Sequence, residues 1–321
     1  MLRLRSVVSR LVVRCAWVGV LLFAASRVTA SEFQWAATGN GQWGAAKNWR
    51  SGGEPASGVP GRQDAIVDPL GKDPGAAGLV KSVVVKDWTF TGIARSWDIY
   101  KATSGQPGNV TLAVEGTLRQ TGGTLRIRNS SREGHMLGFL ASAVDLAGGK
   151  LEFGLESRSN PVPVQQLKVL RVTLSGRAKL QAHVANRGAA EIDELNFRGP
   201  SPGTVTLKHG TRLQLGRFLT GEGGELNVVG DLQAGSAVLR FVLSESAPAI
   251  LVRRAGEWTF SPQQQIEVAD RGAARAGTRY ELIRGLDADP GVAGWAQVNP
   301  RYQGTLRYEG GSVYYDYEGA R

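Results

Sequence analysis

The chain has 321 residues, among them 43 Gly, 13 Pro and one Cys; 42% are hydrophobic, 21% are charged, and the formal charge is +10. Gly stands at about twice its usual share of ~7%, whereas Pro is ordinary, which excludes collagen, a disordered tail and a disulfide scaffold. Three His and one Cys leave little material for a metal cluster or a thiol nucleophile.

Residues 1–30 read as a secretory leader. Arg3, Arg5, Arg10 and Arg14 precede an apolar run of ten residues from Ala16 to Ala25, and Val28-Thr29-Ala30 places small residues before a cut at Ser31. The run falls short of the ~20 apolar residues of a spanning helix, so no stable membrane span is expected after cleavage. Five of the 38 basic residues and none of the acids lie in this leader, so the processed chain carries +5 and no Cys. Such a thinly spread charge does not give the clustered basic face of a nucleic-acid binder. The expected location is secreted or on the cell surface, with the periplasm as the alternative.

Residues 31–78 form a Trp-rich segment with Trp35, Trp43 and Trp49 among Gly and Asn. From about 79 to 260 a short theme recurs: a Gly or small polar pair, then apolar residues two apart. Its clearest copies are Gly122-Gly123-Thr124-Leu125-Arg126-Ile127, Gly148-Gly149-Lys150-Leu151-Glu152-Phe153 and Gly223-Gly224-Glu225-Leu226-Asn227-Val228. Weaker copies begin at Arg177 and Gly210. This is the two-residue period of half-buried strands. It predicts Leu125, Ile127, Leu151, Phe153, Leu180, Leu213, Leu215, Leu226 and Val228 inside, with Arg126, Glu152, Lys179, Gln214 and Asn227 outside. Recurrence of the leucines at intervals near 25–30, with one half-step, predicts an all-β, single-stranded parallel β-helix whose stacked coils share one core. A β-sandwich is the alternative fold.

Residues 261–321 hold the C-terminal covering strands. Gly304–Tyr308 and Ser312–Tyr317 flank Glu309-Gly310-Gly311 and predict a hairpin, with Val313, Tyr315 and Tyr317 on one face. Six of the seven Tyr lie between 278 and 317, and they suit a lid over the last coil.

Trp35, Gly41-Gln42-Trp43, Asn48-Trp49, Pro60 and Asp64-Ala65-Ile66-Val67 resemble the opening of secreted bacterial parallel β-helix proteins related to autotransporter passenger domains. Gly277-Thr278-Arg279-Tyr280-Glu281-Leu282-Ile283 and the later Leu306, Tyr308 and Val313-Tyr314 resemble their ending. The resemblance implies a parallel solenoid and brings no catalytic residues. The coils are poorer in Asn and Thr than in that group, and no apolar sorting tail follows Tyr317, so tail-dependent anchoring is not expected.

No catalytic, cofactor-binding or metal-ligating set is expected. His135, His183 and His209 fall at different phases relative to the marker leucines, which argues against a stacked metal face. Glu191, Asp193 and Glu194 are the densest acidic cluster; Asp287 and Asp289 precede Pro290-Gly291 and read as a turn. Weak candidates for contact with a glycan or another anion are Arg126 and Arg128, which alternate with inward residues, followed by Arg132, and Tyr314 at the C-terminal end. The expected function is an exported, non-enzymatic structural or adhesion-type module whose partner is an extracellular glycan or a surface protein. A carbohydrate-active β-helix protein, lyase, hydrolase or glycan binder, is the alternative.

Overall fold

The computed structural model describes residues 31–103, 107–130, 133–155, 161–245, 248–299 and 301–320. The leader and its cleavage motif lie outside the described residues. Two sheets of 16 and 12 strands stack into a β-solenoid of about seven turns, and neighbouring coils pair in parallel throughout the middle of the chain. The strands Gly108–Gln120, His135–Leu146, Gln166–Ser175, Ala189–Arg198 and Arg212–Glu222 follow one another in the larger sheet. In the smaller sheet Thr124–Arg128, Lys150–Phe153, Lys179–Ala182, Gly203–Leu207 and Glu225–Val229 do the same. Each of these coils therefore contributes one strand to either sheet, and the apolar phase of both meets between them.

The long strands of the larger sheet turn a corner in their middle. Register slips between Val114 and Thr117 and again between Ile192 and Glu194. One coil earlier the same place separates Val83–Val85 from Asp87–Phe90, and near the other end it separates Asp231–Gly235 from Val238–Leu243. A coil thus has three β segments and two tight corners.

All nine residues expected inside are buried, none more than 5% exposed. The repeated Gly pairs mark the turn between the two sheets, where coils approach most closely. Gly149 has φ +69°, and a Cβ there would lie 2.5 Å from backbone atoms of Gly122 and Gly123 in the coil before. Any other residue at that point would push two coils apart. Gln120, fully buried in the apolar phase, ties the same turn by donating to the carbonyls of Gly122, Gly123 and Lys150 at 3.0–3.2 Å.

Two expectations need correction. The Gly210–Leu215 copy of the theme lies on the larger sheet, where Leu213 pairs with Ala190 and Leu232, while the other copies lie on the smaller one. The half-step in the leucine spacing is the distance from one sheet to the other within a coil. Of the residues expected outside, Lys179 and Gln214 are exposed and Arg126 is intermediate, but Glu152 and Asn227 are only 5% and 9% exposed. They point outward and are buried by their polar neighbours: Arg126 and Lys150 over Glu152, Arg254 over Asn227.

Each end switches to antiparallel pairing in one sheet, the larger at the N-terminal end and the smaller at the C-terminal end, while the other sheet stops in a two-residue parallel strand, Gly41–Gln42 or Ala296–Gln297. Glu32–Trp35 pairs antiparallel with Trp49–Ser51, which pairs with the two-residue strand Glu54–Pro55. Pro has no N–H to offer, and a short outer strand is a poor template for further pairing. Beneath it Trp35, Trp43, Trp49, Trp88 and Trp97 interlock, with ring centroids 4.7–6.4 Å apart and every ring at most 1% exposed. At the other end Tyr302–Glu309 and Ser312–Ala320 form the expected hairpin, turned by Gly310 and Gly311 at φ +57° and +83°. It pairs antiparallel onto Thr278–Arg284. Val313, Tyr315 and Tyr317 face the core at 0–3% exposure, as their shared face predicts.

Candidate functional site

The outward face of the smaller sheet carries Asp98, Arg126, Glu152 and Gln181 in register on four successive coils. Strand pairing sets them about 4.8 Å apart, so alternating charges meet side by side. Arg126 Nη1 lies 3.2 Å from Asp98 Oδ1, and its Nε lies 3.2 Å from Glu152 Oε2. Glu152 Oε1 also receives Lys150 Nζ at 3.3 Å and the Gln181 amide at 3.0 Å. Arg128 reaches Asp98 at 3.6 Å and lies over the Tyr100 ring, 5.3 Å from its centre. Burial by itself would lower the Arg126 pKa; the attraction of Asp98 and then Glu152 outweighs it and the guanidinium is held above its ordinary value. Arg126 and Arg128 are therefore both held by carboxylates of one ladder. Arg132 lies outside the described residues.

Tyr314 sits on the outer face of the terminal hairpin with the Arg279 guanidinium 5.5 Å over its ring. Arg279 is held in turn by Asp316 at 2.6 Å and Glu309 at 2.8 Å. Seven strand-to-strand steps separate Tyr314 from the Arg126 strand, about 34 Å at the usual strand spacing. The fold does not bring the three candidates into one site.

The histidine expectation is corrected in part. His183 and His209 stack, with ring centroids 4.4 Å apart and a 40° tilt. Lys208 N donates to Ala182 O across the coils, so His209 occupies the same corner as His183 one coil later. The phase counted from Leu213 misplaced it, because Leu213 is on the other sheet. His135 stands apart at the start of a larger-sheet strand, its Nδ1 3.1 Å from Ala102 O. Among the described residues no group of three or more His, Cys, Asp or Glu has the arrangement of a metal site.

The acidic residues are engaged as well. Glu191 pairs with Lys168 at 3.3 Å, and Arg217 bridges Asp193 and Glu194 at 2.7 and 2.9 Å. Asp287 pairs with Arg253 at 2.6 Å. Asp289 accepts from the N–H groups of Gly291 and Val292, both at 2.9 Å, which is the turn expected of it.

Over the second half of the larger sheet, Asp145, Arg171 and Arg198 form no ion pair with any described residue. A cleft of about 310 Å³ is lined there by Asp145, Arg171, Thr173, Asn196, Arg198, Thr220 and Glu222, and by Phe197, which is buried. Periodicity alone did not reveal it, because its residues come from four coils whose register only the fold supplies.

No protein-family model, curated protein or solved structure matches the chain. Its class is defined by architecture: an all-β parallel solenoid with covered ends. Among the described residues no helix is long and apolar enough to cross a membrane.

Proposed function

We propose that this chain is an exported structural or adhesion-type module, of the kind found among secreted β-helix proteins related to autotransporter passengers, that holds a long rigid face outside the cytoplasm. The observation that carries this reading is the uninterrupted parallel stack, closed at both ends by antiparallel strands over aromatic cores. The twelve strands of the smaller sheet, about 4.8 Å apart, give a rod of about 53 Å that cannot flex without breaking ladder hydrogen bonds. The leader at residues 1–30 supports export, and the pairing of Glu191, Asp193, Glu194 and Asp287 supports display in preference to catalysis. Expression of the full chain in a bacterial host, followed by fractionation and N-terminal sequencing, should find it outside the cytoplasm beginning at Ser31. Beads coated with residues 31–321 should adhere to a glycan or cell-surface matrix without releasing soluble sugar. Retention of the Met1 form in the cytoplasm, or steady release of sugar product, would overturn the reading.

A further inference from the structure

In the second half of the larger sheet, three successive coils present Arg171-x-Thr173-x-Ser175, Glu194-x-Asn196-x-Arg198 and Phe218-x-Thr220-x-Glu222 outward. Register stacks Thr173, Asn196 and Thr220 into a central column, which Asp145 and Arg119 continue on the two coils before. Thr173 and Thr220 point away from the core and are still only 8% and 9% exposed, because longer neighbours stand around them. They form the floor of the cleft. At its rim Glu222 is held by Arg271 at 2.7 Å, Glu194 by Arg217 at 2.9 Å, and Phe218 is covered by Arg240 at 4.8 Å. Arg119, Arg171, Arg198 and Asp145 form no ion pair with any described residue. The cleft therefore keeps a positive balance, with Arg171 and Arg198 on adjacent coils and on opposite sides of a hydroxyl- and amide-lined floor.

We propose that this cleft binds an acidic oligosaccharide, Arg171 and Arg198 holding its carboxylates and Thr173, Asn196 and Thr220 its hydroxyls. A guanidinium matches a carboxylate through two parallel N–H donors, and short hydroxyl and amide side chains both give and accept hydrogen bonds, as a sugar ring requires. The coil repeat offers these groups at about 4.8 Å intervals, so an extended polymer finds equivalent contacts on successive coils. A single-stranded nucleic acid would need open aromatic faces for its bases, and the one aromatic side chain of the grid, Phe218, is capped by Arg240. The inference rests on the extracellular reading only for the class of polymer encountered. Binding is read on purified protein, so a failure of export leaves it standing.

The test is calorimetric titration of residues 31–321 with uronate hexamers (mannuronate, guluronate, galacturonate and a glucuronate-containing chain) and with their carboxyl-reduced neutral counterparts. At least one uronate hexamer should bind, its neutral counterpart about tenfold or more weakly, and added salt should weaken the former. Arg171→Ala and Arg198→Ala should each bind about 10- to 100-fold more weakly with unchanged melting temperature, because neither side chain has a structural partner to lose. Arg128→Ala, on the other sheet, should bind like the parent chain. Absence of binding by every uronate, equal binding of the neutral forms, or full affinity in both arginine variants would overturn the proposal. So would tighter binding of a single-stranded DNA oligomer at the same site.

Discussion

Glu152 is an outward-facing carboxylate enclosed by its neighbours, and its partners decide whether it is an asset or a liability. A carboxylate removed from water needs compensating donors, and Arg126, Lys150 and Gln181 supply them from its own and both adjacent coils. Arg126→Ala is expected to destabilise by about 1–2 kcal/mol, more than the usual surface pair, because it leaves Glu152 and Asp98 short of a cation. Urea denaturation of the variant beside Arg217→Ala, whose pairs are more exposed, checks this; equal small losses would show the ladder to be ordinary surface charge. Tyr315 is the corresponding case at the C-terminal end. Its ring is fully buried, and its hydroxyl donates to Tyr302 O at 2.9 Å and accepts from the Gln297 amide at 2.9 Å. Tyr315→Ala should cost about 3–5 kcal/mol, as other buried aromatic truncations do. Tyr315→Phe should cost about 1–2 kcal/mol, since it keeps the packing and loses the hydrogen bonds.

The terminal hairpin is an element whose removal exposes another element's edge. Thr278–Arg284 pairs on one side with Ile250–Ala255 and on the other with Ser312–Ala320. Deleting residues 302–321 frees the second side and uncovers the apolar residues beneath it. The truncated chain is expected to melt lower and to associate with rising concentration, seen by light scattering. The hairpin should also respond to pH at both extremes. For Asp270, burial pushes the pKa up, but the N–H groups of Ala274, Gly272 and Ala273 and the Tyr317 hydroxyl outweigh it and hold the carboxyl below its ordinary value. Burial likewise raises Glu281, and hydrogen bonds from Arg284 and Ser312 bring it below its ordinary value. Both contribute stability that is present above their ordinary values, near 3.8 and 4.5, and is lost as pH falls through the lower folded ones. Burial raises Tyr315 and Tyr317, so the stability of their neutral phenols is present below pH 10 and is lost as pH rises beyond it. Hydrogen exchange of residues 302–320 should show protection between about pH 5 and 10 and loss at either end; uniform protection across that range and beyond would refute the coupling.

At the scale of the whole molecule, stability comes from a core shared by every coil. Leu151 is fully buried and stands in register between Leu125 and Leu180, so a charge there reaches three coils. Leu151→Asp should lower stability by more than the Arg126 change and shift the denaturation midpoint of both sheets together, since an unpaired buried carboxylate has nowhere to go but water. Unfolding confined to one end, followed by hydrogen exchange, would mean that the coils are independent units.

The two-residue alternation and the Gly pairs determined by themselves that the chain is all-β, that its apolar residues point inward, and that it coils. These are local properties, fixed by the side-chain period of a strand and by which residue fits a crowded turn. The hairpin and the inward face of Val313, Tyr315 and Tyr317 were legible for the same reason. The leader motif gives an expectation of export. Only the tertiary structure decided which residues become neighbours across coils. The connections between strands vary in length, so counting along the chain placed Leu213 on the wrong sheet and separated His183 from His209, which touch. It also left Arg126 looking available, when Asp98, 28 residues earlier, and Glu152, 26 later, already hold it. The cleft of Arg171, Asn196 and Arg198 was invisible to sequence for that reason: a binding surface on a solenoid is written across the coils, perpendicular to the direction in which the chain is read.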